Sequence, residues 1–443
     1  MRKVIHFILI FFLLSLVSLG QETSTPRNYE KETFKLYSQK NWPELIHQAK
    51  NAISEGNDYF YMRMRLAIAF YEKQNYHRAL IHFKKAYEFN QHDPYLLEYL
   101  YYANLFSGRQ KAAYDISKDF SSTKKKEFDA ANIGKLRIGE LGLNTVFSDL
   151  ETGPELISDI EQDQYGSQIF LNGFTKVNLG FNHTASRRFS LFYQYSFLME
   201  NRFYFYKDNS TAYYLSKQKL YESQFYILGN VYLGKNFNLY ASVNYLPGKI
   251  PEYYSGRGMT YLYSPEYKYK DFTGNLAIFK DFSYVSIGIS ASYSYLQYNN
   301  YVQQGAFIRV YPLGNLNLYL TAGYQLKQKV KDGNVFEDGG FYEYKLGFKI
   351  LKQLWLEIEG MSGDLKNAST QLGAIVYNNP NPVNSSIGSS LLINLNKKNL
   401  WLKLSYYYIN STSHFLTENN LPSDINTINY NIHSLFGGLS WSF

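Results

Sequence analysis

Leu316-Asn317-Leu318-Tyr319-Leu320-Thr321-Ala322-Gly323-Tyr324-Gln325-Leu326-Lys327 sets how the rest of the chain is read: every even position is apolar or aromatic, and the odd positions are mostly polar or small. A side-chain period of two belongs to an extended strand with unlike faces. The pattern recurs downstream. Tyr342, Tyr344, Leu346 and Phe348 share one face, with Glu343, Lys345 and Lys349 on the other; Leu354, Leu356 and Ile358 oppose Glu357 and Glu359; Leu402, Leu404, Tyr406 and Tyr408 oppose Lys403 and Ser405.

A soluble sandwich would alternate in the same way, but these segments exceed the usual soluble strand and their tyrosines gather near segment ends, where an aromatic girdle meets headgroups. Aromatic residues make up 18% of the chain, yet mean hydropathy is only -0.35. No second apolar run approaches the roughly 20 residues of a helical span. A transmembrane antiparallel barrel fits both facts, because only alternate side chains meet lipid. Its ring must close, since unpaired amides and carbonyls are not tolerated in hydrocarbon.

Strand starts fall near residues 134, 166, 187, 219, 237, 266, 283, 300, 316, 339, 353, 386, 400 and 430. This predicts fourteen strands, with twelve or sixteen left open, and an even number returns both ends to the periplasm. Connections at 183–186, 235–236, 281–282, 313–315, 351–352 and 397–399 are short and are read as periplasmic turns. Those at 148–165, 202–218, 249–265, 331–338, 363–385 and 412–429 are longer and are read as outer loops. Gln371 to Tyr377 looks strand-like, but parity assigns it to an outer loop.

Before the barrel the period is 3.6. Trp42, Leu45, Ala49 and Ala52 are followed 34 residues later by Tyr76, Ala79, Phe83 and Ala86, and a third unit aligns Gly108 with Gln74. That spacing belongs to paired antiparallel helices with small residues, here Ala67 and Ala79, where the helices approach. Asp93-Pro94 opens the third unit, with proline tolerated in a first turn.

The first residues carry Arg2 and Lys3, then an apolar run through Val17, then Ser18 and Gly20: a secretion signal. There is no Cys and the net charge is +8. These exclude disulfides and a lipidated cysteine, and the dispersed charge argues against a nucleic-acid partner. The expected organisation is multidomain α + β: a cleaved signal peptide (1–20), a linker (21–27), a periplasmic helical domain (28–126), a linker (127–133) and an outer-membrane barrel (134–443).

No Gly-x-Ser-x-Gly elbow, His-Glu-x-x-His pair or phosphate loop occurs, so no enzyme, metal or cofactor is expected. The acidic loop from Asp149 to Asp163 lacks calcium-loop order. Lys327, Lys329, Glu343, Lys345, Lys349, Glu357, Glu359 and Lys403 are the candidate barrel interior. Their mixed signs favour an internal charge network over a selectivity filter. Arg187, Arg188, Arg257, Lys327 and Lys329 are candidate exceptions, since strand position does not fix their neighbours around the ring.

Residues 28–120 resemble the tetratricopeptide (TPR) family, with Thr33, Gln110 and Phe120 departing from its pattern in the outer units. The resemblance implies a protein-binding groove lined by Met64, Ile68, Tyr71 and Glu72. The whole layout resembles the YaiO-type outer-membrane family, and is similar to exporters of exopolysaccharide. The terminal strand, with Trp441 and Phe443, resembles the signal read by the barrel-assembly machinery, and the Tyr, Asn and Lys richness looks like a Bacteroidota envelope protein. The expected role is a barrel in outer-membrane lipid that anchors a module binding a periplasmic protein; a conduit for exopolysaccharide or small solutes is the alternative.

Overall fold

The computed structural model describes residues 28–150, 166–208, 211–250, 253–254, 262–263, 267–331, 334–395, 400–417 and 422–441. The expected signal peptide, the 21–27 linker, Arg257, Phe443 and most of the acidic loop lie outside the described residues.

The helical part comprises α1 (Tyr29–Ser38), α2 (Trp42–Ser54), α3 (Phe60–Glu72), α4 (Tyr76–Phe89), α5 (Pro94–Phe106), α6 (Gln110–Ile116) and α7 (Ser122–Asn132). Caps explain several starts: the side chains of Asn28, Asn75 and Asp93 accept from the amides of Lys31, Arg78 and Leu96 at 3.0, 3.1 and 2.8 Å. Each satisfies an otherwise orphaned first-turn amide, worth about 1 kcal/mol. The stops repeat. Lys40, Gln74 and Gly108 adopt φ of 55°, 57° and 80°. The next amides, of Asn41, Asn75 and Arg109, donate back to the carbonyls of Leu36, Phe70 and Asn104. One left-handed helix stop therefore recurs every 34 residues. Ala67 and Ala79 are fully buried where α3 meets α4, beside Leu45, Leu66 and Phe83. The stretch 127–133, expected as a linker, is helical as far as Asn132, and Gly134 at φ 68° turns the chain into the first strand.

Fourteen strands form one closed antiparallel ring. They are β1 (Lys135–Ser148), β2 (Gly166–Thr184), β3 (Phe189–Asp208), β4 (Thr211–Gly234), β5 (Phe237–Ile250), β6 (Tyr267–Asp281), β7 (Val285–Leu296), β8 (Asn299–Val310), β9 (Leu318–Lys331), β10 (Asn334–Leu351), β11 (Leu354–Gly363), β12 (Val383–Asn394), β13 (Leu400–Thr417) and β14 (Pro422–Trp441). Each pairs with its chain neighbours, and β1 closes on β14 from Glu140↔Ser440 to Ser148↔Ile432. The strand count agrees with the alternation.

Several expected outer loops are instead hairpin. β3 runs to Asp208 and β4 begins at Thr211, so only two residues separate them where 202–218 was read as loop. The spans 331–338 and 412–429 are shortened in the same way. Backbone pairing continues where the apolar alternation has stopped, because a hairpin projecting beyond the bilayer has no lipid face to mark.

The exterior is apolar. Leu143, Val177, Ile227, Val243, Leu276, Ile289 and Leu320 are each 44–60% exposed, on strands around the ring. Toward the long-loop end they give way to aromatics: Tyr195, Phe225 and Tyr245 lie side by side at centroid distances of 5.2 and 6.5 Å. Tyr324 meets Tyr342 at 4.9 Å, and His433 stacks on Phe147 at 5.2 Å. An apolar belt bordered by aromatic rings is an outer-membrane barrel surface.

Candidate functional site

The inner face is set by the same alternation that sets the outer. In register across β9–β13 stand Thr321, Lys345, Glu359, Gly388 and Tyr407. Lys345 Nζ bridges Glu359 at 2.7 Å and Glu357 at 3.3 Å. Tyr319 and Tyr407 donate to Glu357 and Glu359, and Gln325 donates to Glu343 at 2.7 Å. Lys349 Nζ sits 4.6 Å from the Trp355 ring centroid, and Lys403 Nζ 5.6 Å from that of Phe436. Lys327 is 1% exposed, and Lys329 lies two positions further along β9, in register with Tyr301 and Phe336.

Two features of this face carry no alternation signal. Aromatic rings pack over inward glycines of neighbouring strands. A Cβ at Gly347 would strike Tyr319, at Gly388 Tyr407, at Gly288 Phe279, at Gly323 Phe307, at Gly180 Phe192 and at Gly142 Phe436. Each glycine supplies the depth that lets a neighbouring ring pack against the wall.

The second feature is the segment 364–382 between β11 and β12. Expected as an outer loop, it folds into the barrel as a small pair, Ser369–Thr370 with Ile375–Val376, around a tight turn at Gln371–Gly373. Left-handed backbone at Asn367, Gln371, Leu372 and Gly373 makes the reversal. At its tip the Leu372 carbonyl accepts from Tyr226 at 3.1 Å and from Ser242, and the Gly373 carbonyl accepts from Asn244 at 2.9 Å. Those partners lie on β4 and β5. In the ring order β4 is seven strands from β11, so the segment crosses to the opposite wall.

Along its length the segment is held by polar contacts. Ser369 meets Asn275 at 3.1 Å and Thr273 at 3.3 Å; Asn367 donates to Tyr301 at 2.8 Å; Asn378 donates to Asp271 at 2.7 Å; Asn381 donates to Tyr430 at 3.0 Å. At its root Lys327 pairs with Asp364 at 2.8 Å and donates to the Lys366 carbonyl. Leu365, Ala368, Phe341 and Val383 form a small apolar root cluster. The lumen is spanned by a plug fixed mainly by hydrogen bonds.

At the short-turn end the helices sit on the barrel. The His77 amide donates to the Gly314 carbonyl at 3.1 Å, Asn315 donates to the Gln74 carbonyl at 2.9 Å, and Tyr284 donates to Asn75 at 3.0 Å. Arg109 reaches His77 Nδ1 at 3.1 Å and the Phe282 carbonyl. Arg187 pairs with Asp129, and Arg188 with Asp115 at 2.6 Å. Lys84 reaches Asn236 at 3.4 Å. These contacts fall on four consecutive turns, from β2–β3 to β8–β9. His77 stacks on Tyr311 at 4.9 Å; its burial, with Arg109 beside it, pushes its pKa down to about 3, and its Nδ1 accepts.

The expected groove residues are placed differently. Met64 and Ile68 are 7% exposed and belong to the helical core. They offer a partner almost no surface, because α3 is the central helix and is covered on nearly every side. Tyr71 packs against Tyr76, Tyr99 and Phe83, and Glu72 is exposed. Trp441 ends β14 opposite Leu400. Among the described residues, no cluster of three or more His, Asp or Glu is arranged to hold a metal.

No family model matches the chain, and no curated protein matches it. Solved barrels align with it at low identity. The toluene transporter TodX of Pseudomonas putida aligns at 7% identity and TM-score 0.43, covering 69% of this chain and 89% of that one. A FadL homologue of Pseudomonas aeruginosa aligns at 9% and 0.40, covering 69% and 90%. The NanC porin aligns at 8% and 0.30, covering 51% and 94%. At these scores the function of those channels is not carried over. The YaiO-type resemblance drawn from the sequence is corrected: no family model supports it, and the solved barrels that align include TodX- and FadL-type channels.

Proposed function

We propose that this protein is an outer-membrane conduit for small solutes, held closed by the 364–382 plug. The observation that carries the reading is the plug's span: it reaches the far wall, where its tip carbonyls accept hydrogen bonds from Tyr226, Ser242 and Asn244. Such bonds contribute about 1 kcal/mol each and exchange with water as the segment withdraws. A barrel serving only as an anchor could be filled by side chains from its own wall, with no insert. The toluene for which TodX is named finds little match here, because the described lining carries Lys345, Glu357 and Glu359.

The test is planar-bilayer conductance of the natural chain and of a variant in which 366–381 is replaced by a short Gly-Ser linker. Sustained conductance at least severalfold larger in the variant supports the conduit. Silence in both, with the barrel folded, overturns it.

A second reading concerns the helices. Their 34-residue stop, recurring at Lys40, Gln74 and Gly108, supports a tetratricopeptide-like unit on the periplasmic side. Phe34, Tyr61, Phe89 and Tyr95 are 52–73% exposed on it. Exposed rings in this number favour a periplasmic protein partner. In this reading the unit recruits a partner to the conduit's mouth, and insertion of the barrel itself is left to the assembly machinery.

A further inference from the structure

We infer that the outer side of the barrel rim beside α4 is a binding site for an anionic glycerophospholipid of the leaflet at the short-turn end. The inference goes beyond the conduit reading and needs only that the barrel sits in a membrane.

The first observation is how α4 lies. Its start touches the β8–β9 turn, where the His77 amide donates to the Gly314 carbonyl. Arg78 stands 5.8 Å from the ring centroid of Tyr284 in the β6–β7 turn, and Lys84 reaches Asn236 in the β4–β5 turn. One helix therefore follows three consecutive turns, along the rim and along the plane of the bilayer. The second observation is where the apolar exterior stops. Leu233, Phe237, Phe282 and Leu313, in or beside those same turns, are 37–53% exposed. The lipid-facing surface reaches the turns themselves, so α4 lies at the depth where headgroups replace acyl chains.

The third observation is charge. Lys280 is the register partner of Phe237 and of Ile287, both exposed, and it shares a face of β6 with exposed Leu276. It is thus a lysine on the outer wall. Its Nζ sits 3.8 Å from the Phe237 ring centroid and donates to the Lys235 carbonyl at 2.5 Å. A lysine so placed lays its stem on apolar surface and holds its ammonium among headgroups. Lys84 and Lys235 are exposed beside it, and among the described residues none of the three makes an ion pair. Arg109 and Lys280 lie close enough to act on the Lys84 charge, against one carboxylate, that of Asp281. Asp281 follows Lys280 in β6 and so points to the other face, where Asn238 donates to it at 3.3 Å. A phosphodiester with one net negative charge supplies the counter-charge to these lysines, and its acyl chains continue over Phe237, Leu233 and Ile287. A zwitterionic lipid brings its own cation to the same place and gains less.

The experiment uses the full chain in detergent, supplied with phosphatidylglycerol, phosphatidylcholine of the same acyl chains, or inorganic phosphate, and read by native mass spectrometry of the lipid retained. Expected is phosphatidylglycerol bound about tenfold more tightly than phosphatidylcholine, a preference lost in Lys84→Gln with Lys280→Gln and kept in Lys84→Arg with Lys280→Arg. Heat-dependent gel mobility checks that each barrel is folded. Lys84→Gln alone, on the helix and outside the ring, replaces a double variant that fails this check, and should lower the preference about threefold.

The inference is overturned by equal retention of the two lipids, by a preference unchanged in the Gln variant, by its loss in the Arg variant as well, or by inorganic phosphate displacing the lipid at equal concentration. A chain that retains phosphatidylglycerol in this way but never conducts would end the conduit reading and leave the site standing. A conducting chain without the preference does the reverse.

Discussion

Individual residues decide whether the inner wall and the docked helices hold. Gly347 has ordinary backbone, so its requirement is space for the Tyr319 ring. Gly347→Ala should displace that ring from Glu357 and cost about 1–3 kcal/mol, as overpacking does, seen as a lower urea midpoint for barrel unfolding. An unchanged midpoint would show that the ring does not need the glycine. His77 makes a prediction about pH. Docked, its pKa is near 3; undocked, it returns to about 6.5. Between those values the undocked state binds more protons, so docking is fully present above pH 6.5 and weakens as pH falls below it. Hydrogen exchange at the α4 start should therefore quicken between pH 6.5 and 5 after correction for intrinsic rates, and His77→Phe should flatten the trend. Arg109→Ala removes a buried charged donor from the Phe282 carbonyl and should loosen the same interface by about 2 kcal/mol.

At the scale of elements, strands were legible and their outer ends were not. The alternation in 316–327 and 342–359 located the wall and its face, because lipid and lumen impose opposite demands on successive side chains. It failed beyond the bilayer, at the β3–β4 and β13–β14 hairpins, which have no lipid face to mark and where Phe205 packs on Phe415. At 371–377 it marked a strand-like stretch that parity assigned to an outer loop; Ile375–Val376 does form a short strand, which pairs with Ser369–Thr370 inside the barrel and not with the ring. The run of asparagines at 378, 379, 381 and 384 was the available signal that this segment bonds to surrounding wall. Lys327 anchors the root, and Lys327→Met should free it: faster amide exchange across 364–382 and more frequent channel opening are expected, with β9 and β10 unchanged. Exchange as slow as in the natural chain would show that the root cluster of Leu365 and Phe341 holds the plug without it.

For the whole molecule, ring closure is independent of the helices, since β1 pairs directly with β14. A chain lacking 28–132 should still reach the heat-modifiable folded form; its loss would make the helices part of barrel assembly. The helical repeat was legible as a spacing, and the helix stops at 40, 74 and 108 repeat with it. The groove was not legible in the same way. Met64 and Ile68 looked like surface from family position, and packing made them core. Nor did the docking face show, because Asn75, His77 and Arg109 read as ordinary turn and first-turn residues until the barrel rim is beside them.

If the plug moves to open the lumen, a reversible lock between plug and wall abolishes conduction. The chain has no Cys, so Ser369→Cys with Thr273→Cys, whose hydroxyls now lie 3.3 Å apart, places the only thiols in the protein between plug and wall. Single-channel recording of this double variant should be silent when oxidised and show openings after reductant is added, in the same bilayer. Openings of equal size and frequency in both redox states, with the disulfide shown to be formed, would mean that conduction does not require the plug to move.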